Sequence, residues 1–186
     1  NPLIYQNEKI FKQEGWHYEL TDLNADIQYR GVVYGEMKGS FSNPARYVTY
    51  YTYKNLFPGD VYGYESGGYP YAIPELTWDE FKAFHTKYYH PDNCYIVLYG
   101  NEDVEKELSF IDKEYLSKYE KRNINFPIEE HRPFPTLKRV EAHYPVMEGA
   151  QTKNQTFLNL CYVTNHGKDI TKTYALSILA YYLFNN

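Results

Sequence analysis

Apolar and polar positions repeat along the chain with two different periods, which predict helices in some segments and strands in others. Apolar residues spaced three and four apart predict helices over residues 4–11, 27–41, 44–56, 77–88, 104–119 and 175–183. Short, nearly continuous apolar runs predict strands over residues 95–99, 139–147 and 156–163. Residues 77–119 are therefore predicted to form a helix–strand–helix run, and a second unit of two strands and a helix is predicted after residue 137.

Local signals mark where these segments begin and end. Residues 58–74 contain four glycines and three prolines, which predicts a long ordered loop. Thr77 is followed three residues later by Glu80, the spacing of a capping box at a helix start, and Pro91 ends that helix. Residues 121–137 are charged, contain three prolines and follow no period, which is typical of a linker. The helical patterns at both ends run into the termini, so we expect an internal piece of a longer polypeptide.

Charge narrows the class of partner, and cysteine usage narrows the cellular compartment. The chain has 19 basic and 24 acidic residues and a net charge of −5, without a basic stripe, which argues against nucleic acid or a membrane surface as partner. It also lacks any run of about 18 apolar residues that could span a membrane. Cys94 and Cys161 lie in apolar runs without CxxC spacing, so we expect buried thiols in a reducing compartment, the cytoplasm.

Tyrosine is unusually frequent, with 23 residues. A tyrosine-rich face is one way to bind carbohydrate or peptide, because the ring is apolar and its tip is polar. The tyrosines are spread over the chain and follow helical stripes, so we favour packing at the edge of the core over a carbohydrate-binding module.

Glu36 is the most informative polar residue. On the predicted helix 27–41 it shares a face with Val32, Val33 and Met37, so its carboxylate is expected to point toward the core. A buried carboxylate needs a compensating cation. The spacing alone favours Arg46 or Lys38 as that partner over a metal ion.

Glycines recur every four residues on the same predicted helix, at positions 31, 35 and 39. Such spacing produces a ridge where another backbone can approach closely, although glycine also simply weakens a helix. Both interpretations stay open at this level.

The histidines do not form a metal site by themselves. A zinc-binding helix needs two imidazoles four residues apart, and none of the six histidines (His17, His85, His90, His131, His143 and His166) has a partner at that spacing. We therefore expect His85 and His90 to be packing or capping residues. The glycine-rich phosphate loops and the GxSxG nucleophile motif are also missing from the sequence.

Four stretches resemble one family in order and register. They are QEGWHYEL at 13–20, GVVYGEMKGSFSNP at 31–44, YGYESGGYPYAIPELTWDEFKAFHTKYYHPDN at 62–93 and IVLYG at 96–100. They resemble the presequence-protease branch of the pitrilysin/insulinase metallopeptidases. The resemblance covers about the first hundred residues and is much weaker from Lys121 onward.

The resemblance implies a zinc site to which this chain contributes one ligand. Family members bind zinc through two histidines of an HxxEH helix, whose glutamate is the general base, and through a later glutamate in an NEMKG-like segment. That later glutamate corresponds to Glu36, with Gly35 where the family often has asparagine. HxxEH itself is absent here, so we expect no catalytic residue within this chain, no zinc held by it alone and no peptidase activity of its own.

The resemblance also implies the fold, the domains and the function of the longer protein. The fold would be α+β, with helices packed on a mostly antiparallel sheet. Residues 1–120 would be the later part of the zinc-binding domain, 121–137 a linker and 138–186 the start of a second homologous domain. The longer protein would be a zinc metalloendopeptidase that degrades short unstructured peptides, with the cytoplasm or an organellar matrix as its location. The alternative is a non-catalytic scaffold or peptide-binding relative of the same fold.

Overall fold

The regular elements of the chain are helices and one small antiparallel sheet. The computed structural model describes residues 2–127 and 134–185. In these residues the elements are α1 (Glu8–Glu14), β1 (His17–Glu19), β2 (Gln28–Arg30), α2 (Val32–Ser40), α3 (Pro44–Leu56), α4 (Trp78–Tyr88), α5 (Val104–Glu114) and α6 (Ile170–Phe184). Short 3-10 turns lie at Leu3–Tyr5, Val61–Gly63, Ile73–Glu75, Pro91–Asn93 and Leu116–Lys118.

Contacts group the chain into two compact units. The first consists of residues 1–42 and 66–129, and the second of residues 43–65 and 130–186. The predicted linker, 121–137, contains residues 128–133, which lie outside the described residues. His131 is one of these six residues. No helix in the described part of the chain has the length and hydropathy of a membrane span.

The first unit contains a short hairpin and the four helices α1, α2, α4 and α5. β1 pairs antiparallel with β2, with His17 opposite Arg30, and the ring of Tyr18 lies 5.3 Å from that of Tyr29. The neighbouring Tyr18 hydroxyl raises the pKa of Tyr29. Phe41 and Ile73 are the most deeply buried apolar side chains of the unit, and they place its core beside the end of α2.

Helix α4 begins where the capping box predicts. The Thr77 hydroxyl accepts a hydrogen bond from the Glu80 backbone N–H, and a Glu80 carboxylate oxygen accepts one from the Thr77 N–H at 2.9 Å. Two backbone donors of the first turn are thereby satisfied. The indole of Trp78 donates to the Ile4 carbonyl at 2.8 Å, which fastens the N-terminal turn to α4.

The second unit centres on α3, whose N-terminus is capped by Asn43 and opened by Pro44. Tyr47 and Tyr50 of this helix are buried. The amide of Asn159 donates to the Thr52 hydroxyl at 3.1 Å, so the C-terminal segment contacts the same helix. The tyrosines of α3 thus pack as the helical stripe predicted.

Several predicted elements differ in the structure. Residues 28–30 of the predicted helix 27–41 form β2, because they pair with β1, and α2 begins only after Gly31. The first helix starts at Glu8, after its cap Asn7, and a 3-10 turn precedes it.

The three predicted strands at 95–99, 139–147 and 156–163 carry no regular secondary structure. A strand requires a hydrogen-bonded neighbour, and none pairs with them among the described residues. The side chains of Tyr95 and Tyr99 are fully exposed, and Cys94, predicted to be buried, is exposed as well. The helical spacing of Phe81 and Phe84 predicts a buried stripe on α4, but their side chains are 40% and 58% exposed.

Candidate metal centre

Glu36 lies in the middle of α2, and its side chain is exposed. The prediction that this carboxylate points into the core is therefore wrong. Val32 and Val33, on the face that was expected to be buried, are exposed too, since no described element covers that face. The buried contact of α2 begins at Met37, which is partly buried, and is completed by Phe41 just after the helix.

The two cations proposed as structural partners of Glu36 have other contacts. Arg46 forms an ion pair with Glu65 inside the second unit, where the Glu65 side chain is 10% exposed. The ammonium of Lys38 lies 5.8 Å from the centre of the Tyr34 ring. Within residues 2–127 and 134–185, Glu36 has no hydrogen bond or ion pair. Its carboxylate is therefore available to an external cation.

A zinc ion requires more ligands than the described residues bring together. The described residues contain no group of three or more histidine, cysteine, aspartate or glutamate side chains that could hold a metal ion. A carboxylate oxygen is a normal zinc ligand, so an uncommitted Glu36 fits the role of one ligand among several. The remaining ligands would have to come from residues other than the described ones.

His85 lies in α4 and His90 follows just after its end, and both have the packing or capping roles predicted for them. His85 makes a 2.7 Å hydrogen bond through Nδ1 with the Tyr5 hydroxyl, and its ring stacks on Tyr89. His90 is buried, and its Nδ1 accepts a hydrogen bond from the Asp92 N–H. His90 is thus the N-terminal cap of the turn Pro91–Asn93.

Asp92 ties the end of this turn to the beginning of the predicted linker. One of its carboxylate oxygens accepts hydrogen bonds from the backbone N–H groups of Arg122 and Asn123. Asn123 has a positive φ of 49°, which directs the chain away from the turn. No sequence motif predicts this contact, because the partners are 30 and 31 residues apart.

Of the three glycines spaced four residues apart, one makes the close backbone contact of a ridge, and the other two do not among the described residues. Gly31 lies against the backbone of Gly15 and Trp16, whereas an added Cβ at Gly35 or Gly39 would have no described atom within 4 Å. A second close contact was missed. Met37 lies against Gly67 in the long loop, and the signal available for it was the Gly67-Gly68 pair.

The class of protein follows from a family profile. Residues 75–186 match the profile described as Peptidase M16 inactive domain. The chain belongs to this family, the pitrilysin-type peptidases. Glu36 lies outside the matched residues.

Similar proteins narrow the family to its presequence-protease branch. The chain is 41% identical to Protein HypA of Clostridium perfringens (strain 13 / Type A) over 182 residues, which cover 98% of the chain and 19% of that protein. It is 45% identical to presequence protease 1, chloroplastic/mitochondrial, of Arabidopsis thaliana over 64% of the chain and 11% of that protein. It is 33% identical to the mitochondrial presequence protease of Mus musculus over 93% of the chain and 17% of that protein. The chain therefore spans less than a fifth of the length of these relatives.

Proposed function

We propose that the protein containing this chain is a zinc metalloendopeptidase that degrades short unstructured peptides, and that Glu36 is one of its zinc ligands. The observation that supports the proposal most directly is the exposed Glu36 carboxylate, which has no partner among the described residues. The names of the relatives, presequence proteases, support the substrate class. When bound, zinc supplies Lewis-acid chemistry.

The chain itself contributes a ligand and its support. α2 presents the carboxylate, and two segments of the first unit contact the helix: Gly15 and Trp16 lie against Gly31, and Gly67 of the long loop lies against Met37. Because the described residues supply one ligand, the 186-residue chain alone is expected to hold no zinc and to cleave no peptide. In the longer protein, residues 1–120 would complete the zinc-binding domain, 121–137 would form the linker and 138–186 would begin a second homologous domain within an α+β fold.

The ligand assignment is tested by Glu36→Gln in the full-length protein. The amide keeps the size of the side chain but removes the negative charge, so zinc content and peptidase activity are both expected to be lost. Glu105→Gln is the matched control, because Glu105 is an exposed glutamate on α5 and the change in net charge is the same. Zinc content is measured by atomic emission and turnover with an unstructured peptide. A Glu36→Gln protein that retains both zinc and turnover contradicts the assignment.

A second candidate is a non-catalytic scaffold or peptide-binding relative of the same fold. The description of the matched profile as an inactive domain favours it. The coding sequence ahead of Asn1 discriminates the two candidates. An HxxEH motif there supports the peptidase, whereas its absence supports the non-catalytic relative.

The compartment is a separate proposal. Free cysteines at positions 94 and 161 are consistent with the cytoplasm, and the names of the plant and mouse relatives point to organelles. Fractionation of cells that express the tagged full-length protein separates the cytoplasm from an organellar matrix.

A further inference from the structure

Helix α2 is supported by the first unit at two points, one on each side of Glu36. The first support lies at Gly31, where the helix begins, and the second at Met37 and Phe41, where it ends. The exposed carboxylate of Glu36 is thus carried by a helix whose two ends are both in close contact with other segments.

At the first support, backbone meets backbone. A Cβ on Gly31 would lie 2.2 Å from the carbonyl oxygen of Gly15 and 2.7 Å from the Cα of Trp16. Gly31 also has a φ of +141°, a conformation that other L-residues rarely adopt. The Tyr34 N–H donates to the same Gly15 carbonyl at 3.3 Å, so the first turn of α2 is hydrogen-bonded to the segment it touches.

At the second support, the long loop packs against α2. A Cβ on Gly67 would lie 2.4 Å from the Met37 sulfur, and the Phe41 ring meets the Tyr69 ring edge-on at 5.5 Å. The indole of Trp16 donates to the Leu76 carbonyl at 2.8 Å, which links the segment of the first support to the end of this loop. The two supports therefore belong to one connected framework.

We propose that Gly31 is a positioning residue for Glu36, an inference that rests on the proposed function of Glu36 as a zinc ligand. No side chain fits between Gly31 and Gly15, so any residue larger than glycine moves the start of α2 by about 1 Å, the distance needed to restore an ordinary contact. The obstruction is backbone, which does not rotate away as a side chain does. Glu36 follows five residues later on the same helix, about 7.5 Å along its axis, and moves with it.

The test compares two identical substitutions on one helix in the full-length protein. Gly31→Ala is expected to lower zinc affinity about 10-fold to 100-fold, the range observed when the groups that orient a metal ligand are altered. Gly39→Ala is the control, because its Cβ meets no described atom within 4 Å, and zinc affinity is expected to be unchanged. Affinity is measured by competition with a chromophoric zinc chelator, and circular dichroism of the zinc-free proteins verifies the fold.

The outcomes separate this inference from the function on which it rests. Gly31→Ala with wild-type zinc affinity overturns the positioning role, while loss of zinc in Glu36→Gln keeps the ligand assignment. Zinc retained by Glu36→Gln overturns both.

A second variant decides the question if Gly31→Ala does not fold. Gly67→Val displaces Met37 at the other support, and the double variant Gly67→Val, Met37→Ala makes room for the new side chain. Reduced zinc affinity in the single variant that is restored in the double variant supports positioning through α2. A loss of affinity that the double variant does not restore overturns it.

Discussion

The capping box of α4 allows a quantitative prediction for Thr77→Ala. The Thr77 hydroxyl is the acceptor for the Glu80 N–H at 3.3 Å and also donates to the Glu80 carboxylate at 2.7 Å. Alanine removes both contacts, so the Glu80 N–H in the first turn can be hydrogen-bonded only by water. Replacing an N-cap threonine by alanine costs about 0.5–2 kcal/mol. Because the site is exposed and the hydrogen bond from the Glu80 N–H is long, at 3.3 Å, we expect Thr77→Ala to lower the free energy of opening of α4 by about 1 kcal/mol.

Hydrogen exchange of the α4 amides is the suitable measurement, because it reports local opening as well as global unfolding. A loss of about 1 kcal/mol corresponds to roughly fivefold faster exchange, since 1.4 kcal/mol is a factor of ten. Thr77→Ser is the control, because serine retains the capping hydroxyl. Unchanged exchange of the α4 amides in Thr77→Ala would refute the conclusion that the Thr77 cap stabilises α4.

The same box predicts a pH dependence through Glu80. The Thr77 hydroxyl and then the Thr77 N–H hold the pKa of the Glu80 carboxyl below its ordinary value of 4.5. A carboxyl whose pKa is lowered in the folded state stabilises that state above the unfolded pKa, and the contribution is lost as the pH falls through the folded pKa. The difference in α4 protection between wild type and Glu80→Gln is therefore expected at pH 7 and disappears on acidification below the folded pKa. A difference that persists there contradicts this account.

Two further substitutions test the first unit. Phe41→Ala removes a ring that is 2% exposed and is expected to lower the free energy of unfolding by about 3–5 kcal/mol in urea denaturation, with a smaller loss for Phe41→Leu; equal effects of the two would contradict the packing described. Asp92→Ala removes the acceptor for the Arg122 and Asn123 N–H groups, so trypsin is expected to cleave after Lys121 and Arg122 about tenfold faster, as followed by mass spectrometry. Asp92→Asn retains an acceptor oxygen and serves as its control.

Local sequence signals predicted the elements whose cause is local. α3 follows from Asn43, Pro44 and the stripe of tyrosines, and α4 follows from its capping box. Residues 28–30 have the same apolar spacing as the helix after them, yet they form β2 because β1 lies beside them. Pairing between strands depends on residues distant in sequence, which a periodicity does not record.

The candidate site, like the fold, depends partly on contacts that the apolar spacing does not record. Resemblance to the family identified Glu36, and the apolar spacing around it predicted a buried carboxylate. The structure exposes that carboxylate because burial depends on what packs against α2, and the described segments touch the helix at Gly31, Met37 and Phe41 instead. Spacing predicts which residues share a face, but it does not predict whether that face is covered.

The unpaired segment at 95–99 has a consequence for handling the chain by itself. Residues 94–99, CYIVLY, contain no charge and no proline, and consist largely of residues that favour β-structure. Residues 95–99 carry no regular secondary structure and pair with no described strand, so their backbone hydrogen-bonding groups are open to another extended strand. Segments of this composition stack into cross-β assemblies when exposed. We therefore expect the isolated 186-residue chain to aggregate through this segment, and Val97→Lys to reduce that aggregation.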